Sequence, residues 1–284
     1  MADSYAVLCW GSRSVTLSRN TGLFITKDGI EGWYSTPDSK VDLTEYASGD
    51  GAAWPGEGLV LYSARTVTVH VAAGGRRGGA GLVALQTALN QAAHSCCTLR
   101  VVDGGVDTYV TGYATVAWDS ERLPGGATGI LTIVCPDPRR YGTTPHRAYL
   151  SPGASAGALG WHEGAPHGLL WPLSYGGGGA GANVATLRND GTSTAYPVIT
   201  ASGDMDGLAL TDAATGAQLT YDAHVGTPVK FDCLAHSASV SGVDASRLLS
   251  ARGFPSVPAG GETTLALTAE GTGTVEVAWR DTYI

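Results

Sequence analysis

Apolar and polar residues alternate along most of this chain with a period of two. Val67, Val69 and Val71 interleave with Thr66, Thr68 and His70, the spacing of a half-buried strand. Similar short runs recur at 5–10, 15–17, 59–62, 99–102, 109–118 and 129–135. Tyr109, Thr111, Tyr113 and Thr115 share one face of their run. One segment breaks the rhythm. Over 81–93, Leu82, Leu85, Leu89 and Ala92 fall on a single stripe at helical spacing, which predicts one amphipathic helix. The stretch 35–58 shows no period, is rich in Asp, Gly and Ser, and is long for a loop; such loops are usually functional or interfacial.

After residue 182 the short runs return at 197–201, 208–211, 218–221 and 229–233, the rhythm of a sandwich. Leu265, Leu267 and Ala269 share a face, as do Val275, Val277 and Trp279. With Glu270-Gly271-Thr272-Gly273 between them, these runs predict a terminal hairpin. The proline- and glycine-rich stretch before this half, including the run at 176–181, reads as a linker or wrapping arm. The expected organisation is a mainly β protein: an N-terminal β-sandwich or split-barrel domain with one α-helix (1–143), a linker (144–181), and a C-terminal β-sandwich (182–284).

Composition narrows the function classes. With 284 residues the chain can bury two cores, and its 41 glycines with only 15% charged residues suit a β protein. The net charge of −8 argues against wrapping nucleic acid, which needs a positive face. The only basic doublets, Arg76-Arg77 and Arg139-Arg140, read as solvated surface. Five cysteines without C-x-x-C spacing read as reduced, small core residues in a chain made in the cytoplasm. The start of the sequence lacks the pattern of a signal peptide, and no run has the ~18 apolar residues of a membrane span.

Reactive chemistry is not apparent. In His162-Glu163-Gly164-Ala165-Pro166-His167 the second histidine comes five residues on rather than four. Glycine and proline there would break the helix that presents two zinc ligands together. Asp204-Met205-Asp206-Gly207 opens like a calcium loop, but the twelfth position is Thr215, so it reads as a turn. The glycine run at 176–181 lacks the Gly-Lys-Ser/Thr end of a phosphate cradle. No enzyme, cofactor or metal is expected. Trp118 and Trp279, on strands, are expected in cores. Trp33 with Tyr34, Trp54 and Trp171 lie in loop contexts suited to contact with a partner protein.

Several segments, in order, resemble the distal tail protein (Dit) family, minor tail proteins of long-tailed, non-contractile bacteriophages. They begin with Gly32-Trp33-Tyr34-Ser35-Thr36-Pro37-Asp38, Ala53-Trp54-Pro55-Gly56 and Tyr62-Ser63-Ala64-Arg65-Thr66-Val67. Cys135-Pro136-Asp137-Pro138-Arg139-Arg140-Tyr141-Gly142 looks like the end of that family's first domain. Leu169-Leu170-Trp171-Pro172-Leu173, Leu187-Arg188-Asn189-Asp190-Gly191, Tyr196-Pro197-Val198-Ile199, Val257-Pro258-Ala259-Gly260-Gly261 and Trp279-Arg280-Asp281 continue the match to the end. The glycine run at 176–181 departs from the pattern.

The resemblance implies a structural virion protein at the tail tip, assembled in the host cytoplasm. Its first domain would form a homohexameric ring continuing the tail tube, and its second would be a galectin-like sandwich. Implied partners are further copies of itself, the tail tube protein, the tape measure protein, the hub and receptor-binding proteins of the baseplate. DNA would pass through the lumen without specific binding. The alternative reading is a carbohydrate-binding sandwich protein for adhesion to the host surface.

Overall fold

The computed structural model describes residues 5–53, 56, 60–74, 78–93, 95–119, 126–152 and 183–284. The chain divides into two compact units, 1–143 with 283–284, and 144–282. Both are built on antiparallel sheet, and the described residues contain one α-helix.

The first unit comprises β1 (Tyr5–Trp10), β2 (Arg13–Leu17), β3 (Leu23–Glu31), β4 (Arg65–Gly74), α1 (Gly78–Asn90), β5 (Cys96–Asp103), β6 (Val106–Trp118), β7 (Gly126–Cys135) and β8 (Arg140–Gly142). Hydrogen bonding gives the order β2-β1-β5-β6-β7-β4-β3, with β8 added to β6. The two ends of this order, β2 and β3, are consecutive in sequence and joined by five residues. The Ser18 amide donates to the Leu23 carbonyl at 2.8 Å across that turn. A sheet whose first and last strands share so short a turn has to curl round on itself, bringing its inward faces over one core. Val67, Val69, Val71, Val110, Leu131 and Ile133 point into it, all fully buried. The predicted helix exists, three residues earlier than its apolar stripe suggests. Leu82 and Leu89 are buried on it, Ala92 is buried just past its end, and Leu85 is partly buried.

The second unit holds β9 (His146–Leu150), β10 (Val184–Arg188), β11 (Val198–Asp212), β12 (Gln218–Tyr221), β13 (Val229–Asp232), β14 (Ser237–Val240), β15 (Val243–Asp244), β16 (Leu249–Arg252) and β17 (Glu262–Trp279). The expected terminal hairpin is instead one strand. β17 runs for 18 residues and pairs with β11 along almost its whole length. The runs expected as separate strands at 197–201 and 208–211 likewise join into β11, and Asp204–Gly207 is part of that strand and not a turn outside it.

Glycine explains both corrections. A Cβ on Gly271 would lie 2.2 Å from the Asp204 carbonyl oxygen, and one on Gly203 would lie 2.5 Å from Gly273 Cα. These glycines permit close approach of two backbones, one of the uses of glycine inside a strand. Gly271 also has φ +99. Gly271→Ala is expected to destabilise the protein by about 2–3 kcal/mol, measured by urea unfolding.

At this close approach the ladder slips its register between Asp206 and Ala209, and the two halves of the long pair take different neighbours. Residues 262–266 of β17 pair with β10, whereas 275–279 pair with β9. The early part of β11 pairs with β13 and its late part with β12. A long pair that bends and changes partners carries the chain from one layer of a sandwich to the other. Leu265, Leu267, Val275 and Val277 thus reach the same core as Ile199, Leu219 and Phe231. β9 lies within the stretch expected as linker. Its alternation places Leu150 in this core with Ala148 packed against it.

Beside that core, the fully buried side chain of Asn189 is saturated with hydrogen bonds. Its Nδ2 donates to Ser193 O (2.8 Å) and Pro258 O (3.2 Å). Its Oδ1 accepts from the amides of Gly191 (3.0 Å) and Thr282 (3.1 Å). Trp279, buried as expected, donates its indole N–H to Arg188 O at 2.7 Å and stacks on His146 at 5.5 Å. Trp118 packs against the first core and donates to Asn90 Oδ1 at 3.0 Å.

Candidate assembly surface

Between β3 and β4 the aperiodic stretch forms an arm that folds back on itself. Near its root Ser63 N donates to Asp38 O (2.8 Å) and Lys40 N to Leu61 O (2.7 Å). Further out Ala53 N donates to Thr44 O (2.9 Å) and Tyr46 N to Gly51 O (3.0 Å). Few of the arm's described residues join the core. Leu43, Tyr46, Val60 and Leu61 are exposed, Leu61 to 64%. Apolar groups held in water by a backbone ladder gain little for the isolated subunit.

The root of the arm is fixed by a buried arginine. Arg65 opens β4 opposite Cys135 of β7. Its Nη1 donates to Gly32 O (2.6 Å), Ser35 O (2.8 Å) and Trp33 O (3.2 Å), and its Nε to Pro138 O (2.7 Å). It is 1% exposed, and its Nη2 has no hydrogen-bond partner among the described residues. Burial, followed by the nearby Arg140 charge, lowers its pKa. Gly32 makes the turn into the arm at φ +74, where a Cβ would sit 2.1 Å from Thr66 O.

Arg140 was expected at the solvated surface and is instead buried. Its guanidinium lies 5.5 Å from the Trp33 ring, 5.2 Å from Tyr34 and 5.6 Å from Tyr283. Three π-faces offset part of its lost hydration, and desolvation still lowers its pKa. Arg139, by contrast, pairs with Asp137 at 3.3 Å.

The four aromatic residues singled out from sequence therefore fare differently. Trp33 is 1% exposed, in the first core. Tyr34 is 59% exposed and donates its hydroxyl to Asp103 Oδ2 at 2.8 Å. That bond, after burial, raises its pKa. Trp54 and Trp171 lie outside the described residues, as does the His162/His167 pair. Sequence reasoning missed Arg65, although a lone arginine ahead of the strand alternation of 66–71 was a visible anomaly.

All five cysteines are free, three of them buried. Burial pushes the Cys97 thiol up to about 11 and those of Cys135 and Cys233 to about 12, so these three act as packing groups. A cavity of about 590 Å³ in the first unit is lined by Cys96, Tyr113, Pro136 and Asp137, among others. Asp137, its one carboxylate, already accepts from the Tyr141 hydroxyl at 2.5 Å and the Arg139 amide at 3.1 Å. Among the described residues no helix is long and apolar enough to cross a membrane.

No protein-family model matches this chain, and no curated protein matches it in sequence. Solved structures do. The crystal structure of the Dit protein (gp 19.1) of phage SPP1, described as a paradigm of the hub adsorption apparatus in phages infecting Gram-positive hosts, aligns with a TM-score of 0.62. The alignment covers 98% of this chain and 99% of that one at 12% identity. Chains of the phage P2 baseplate in its activated conformation, with Ca and with Sr, give TM-scores of 0.41 and 0.44. They align over 98% and 97% of this chain at 10% and 8% identity. Both units, in order and nearly end to end, have the fold of the SPP1 Dit protein.

Proposed function

We propose that this protein is a structural component of a bacteriophage tail tip, in which six copies associate through the first unit into a ring. The ring joins the tail tube to the baseplate hub and receptor-binding proteins, with the tape measure protein ending against it and DNA passing through its lumen. The observation that carries this reading is the SPP1 Dit fold across the whole chain. The exposed apolar arm supplies the physics: a patch on one side of a subunit meeting a different patch on the next makes a heterologous contact, and such contacts close into rings. Tyr34 and the arm are the proposed contact on one side, with Trp54 and Trp171 as further interface residues. A net charge of −8 per copy suits a channel that does not retain DNA.

The double variant Leu43→Asp, Leu61→Asp tests this directly. Both side chains are exposed, so its unfolding midpoint is expected to match the parent's within about 0.5 kcal/mol. Its assembly with tail tube protein, followed by analytical ultracentrifugation, should weaken about ten-fold or more, as loss of a buried apolar anchor does. Unchanged assembly would remove the arm from the interface.

A further inference from the structure

The corner where glycines let β11 and β17 approach closely carries a polar cluster to which the proposed assembly assigns no part. Met205 is fully buried, so its strand neighbours Asp204 and Asp206, on either side of it in the pleat, both point away from the core. Val225 is also fully buried and bridges to Met205, with Val225 N donating to Met205 O at 2.8 Å. That bridge turns the preceding residue, His224, outward beside the two aspartates.

The imidazole ends up between two carboxylates. His224 Nδ1 is 3.1 Å from Asp206 Oδ1, and Nε2 is 3.7 Å from Asp204 Oδ1. One ligand atom from each of the three residues lies within 4.8 Å of the others. The side chains are 82%, 66% and 53% exposed for Asp204, Asp206 and His224, so the core does not require their polarity. Their backbones, however, are held by the Met205–Val225 bridge and by the glycine-dependent approach of β17 to Asp204. The set differs from an acidic patch in containing an imidazole on a second, separately fixed segment.

We propose that Asp204, Asp206 and His224 form a binding site for one first-row divalent cation of the Zn²⁺ type. One nitrogen and two carboxylate oxygens match the borderline character of such ions, and three protein ligands leave a coordination position open to water or to a partner's side chain. A tetrahedral centre with bonds near 2.1 Å places its donors about 3.4 Å apart, and rotation of the exposed side chains closes the remaining gap. Ca²⁺ fits poorly, because it takes six to eight oxygen ligands. The sequence pattern hid the site because its third ligand comes from a separate segment 18 residues on from Asp206, outside any local metal spacing.

Isothermal titration calorimetry of the full chain, freed of metal by chelator, tests the site with Zn²⁺ alone and Ca²⁺ alone. The expected result is one Zn²⁺ per chain and Ca²⁺ binding at least about ten-fold weaker. His224→Gln and Asp206→Asn should each weaken Zn²⁺ binding about ten-fold or more, with unfolding midpoints in chelator unchanged. Absence of Zn²⁺ binding, equal binding by both variants and the parent, or a preference for Ca²⁺ would each overturn the proposal. The assay needs no assembled tail, so its outcome is independent of the ring.

Discussion

Replacing Arg65 with Met is expected to destabilise the first unit by about 4 kcal/mol, the range seen when a buried, hydrogen-bonded charge network loses one member. The new side chain packs, but the carbonyls of Gly32, Trp33, Ser35 and Pro138 lose their donor. Those carbonyls belong to the entry of the arm and to the segment leading into β8. The loss therefore acts on the geometry of the arm root as well as on stability. Two units with separate cores are expected to give two unfolding transitions, and only the first unit's should move, by about 10 °C in a calorimetric scan. A shift below about 2 °C would show that the arginine network is dispensable.

The second large effect is expected at Asn189. Its amide satisfies two donors and two acceptors in a site with no solvent access. Asn189→Leu leaves the Ser193 carbonyl and the amides of Gly191 and Thr282 without those partners, each orphan costing about 1–3 kcal/mol, while Pro258 O keeps the Gly261 amide. The expected loss is about 3–5 kcal/mol, confined to the second unit's transition. Asn189→Asp distinguishes hydrogen bonding from shape. It keeps the volume but turns an oxygen toward two carbonyls, so the variant should approach the Leu substitution in severity. A wild-type midpoint for Asn189→Asp would mean that packing alone holds this turn.

Much of the architecture was legible because the alternation is clean. Val67, Val69 and Val71, the helix stripe of Leu82 and Leu89, and the buried Trp279 are where their spacing puts them. The misread hairpin is instructive. Leu265, Leu267, Ala269, Val275, Val277 and Trp279 are all odd-numbered, so a phase of two passes unbroken through Glu270–Gly273. A two-residue or four-residue reversal pairs odd with even positions, as Asp103 with Val106 does here, so the unbroken parity already spoke for one strand and the glycines decided the reading wrongly. Gly271 and Gly273 admit a neighbouring backbone and do not turn the chain.

Arg140 was misread for a different reason. A basic doublet looks solvated on its own; the stacking of Arg140 on Trp33 is a contact between segments more than a hundred residues apart, which no local window contains. The order of the motifs in the chain was informative where each alone was weak, and the whole-chain likeness to the SPP1 Dit protein is the structural counterpart of that order.

The central claim is that this chain builds a ring, and electron cryomicroscopy of the purified protein assembled with its tail tube protein tests it most directly. The account predicts particles with six copies around one axis, the arm of residues 35–63 in each copy seated on the next. Co-assembly without a ring, or a ring in which every arm points into solvent, would contradict it.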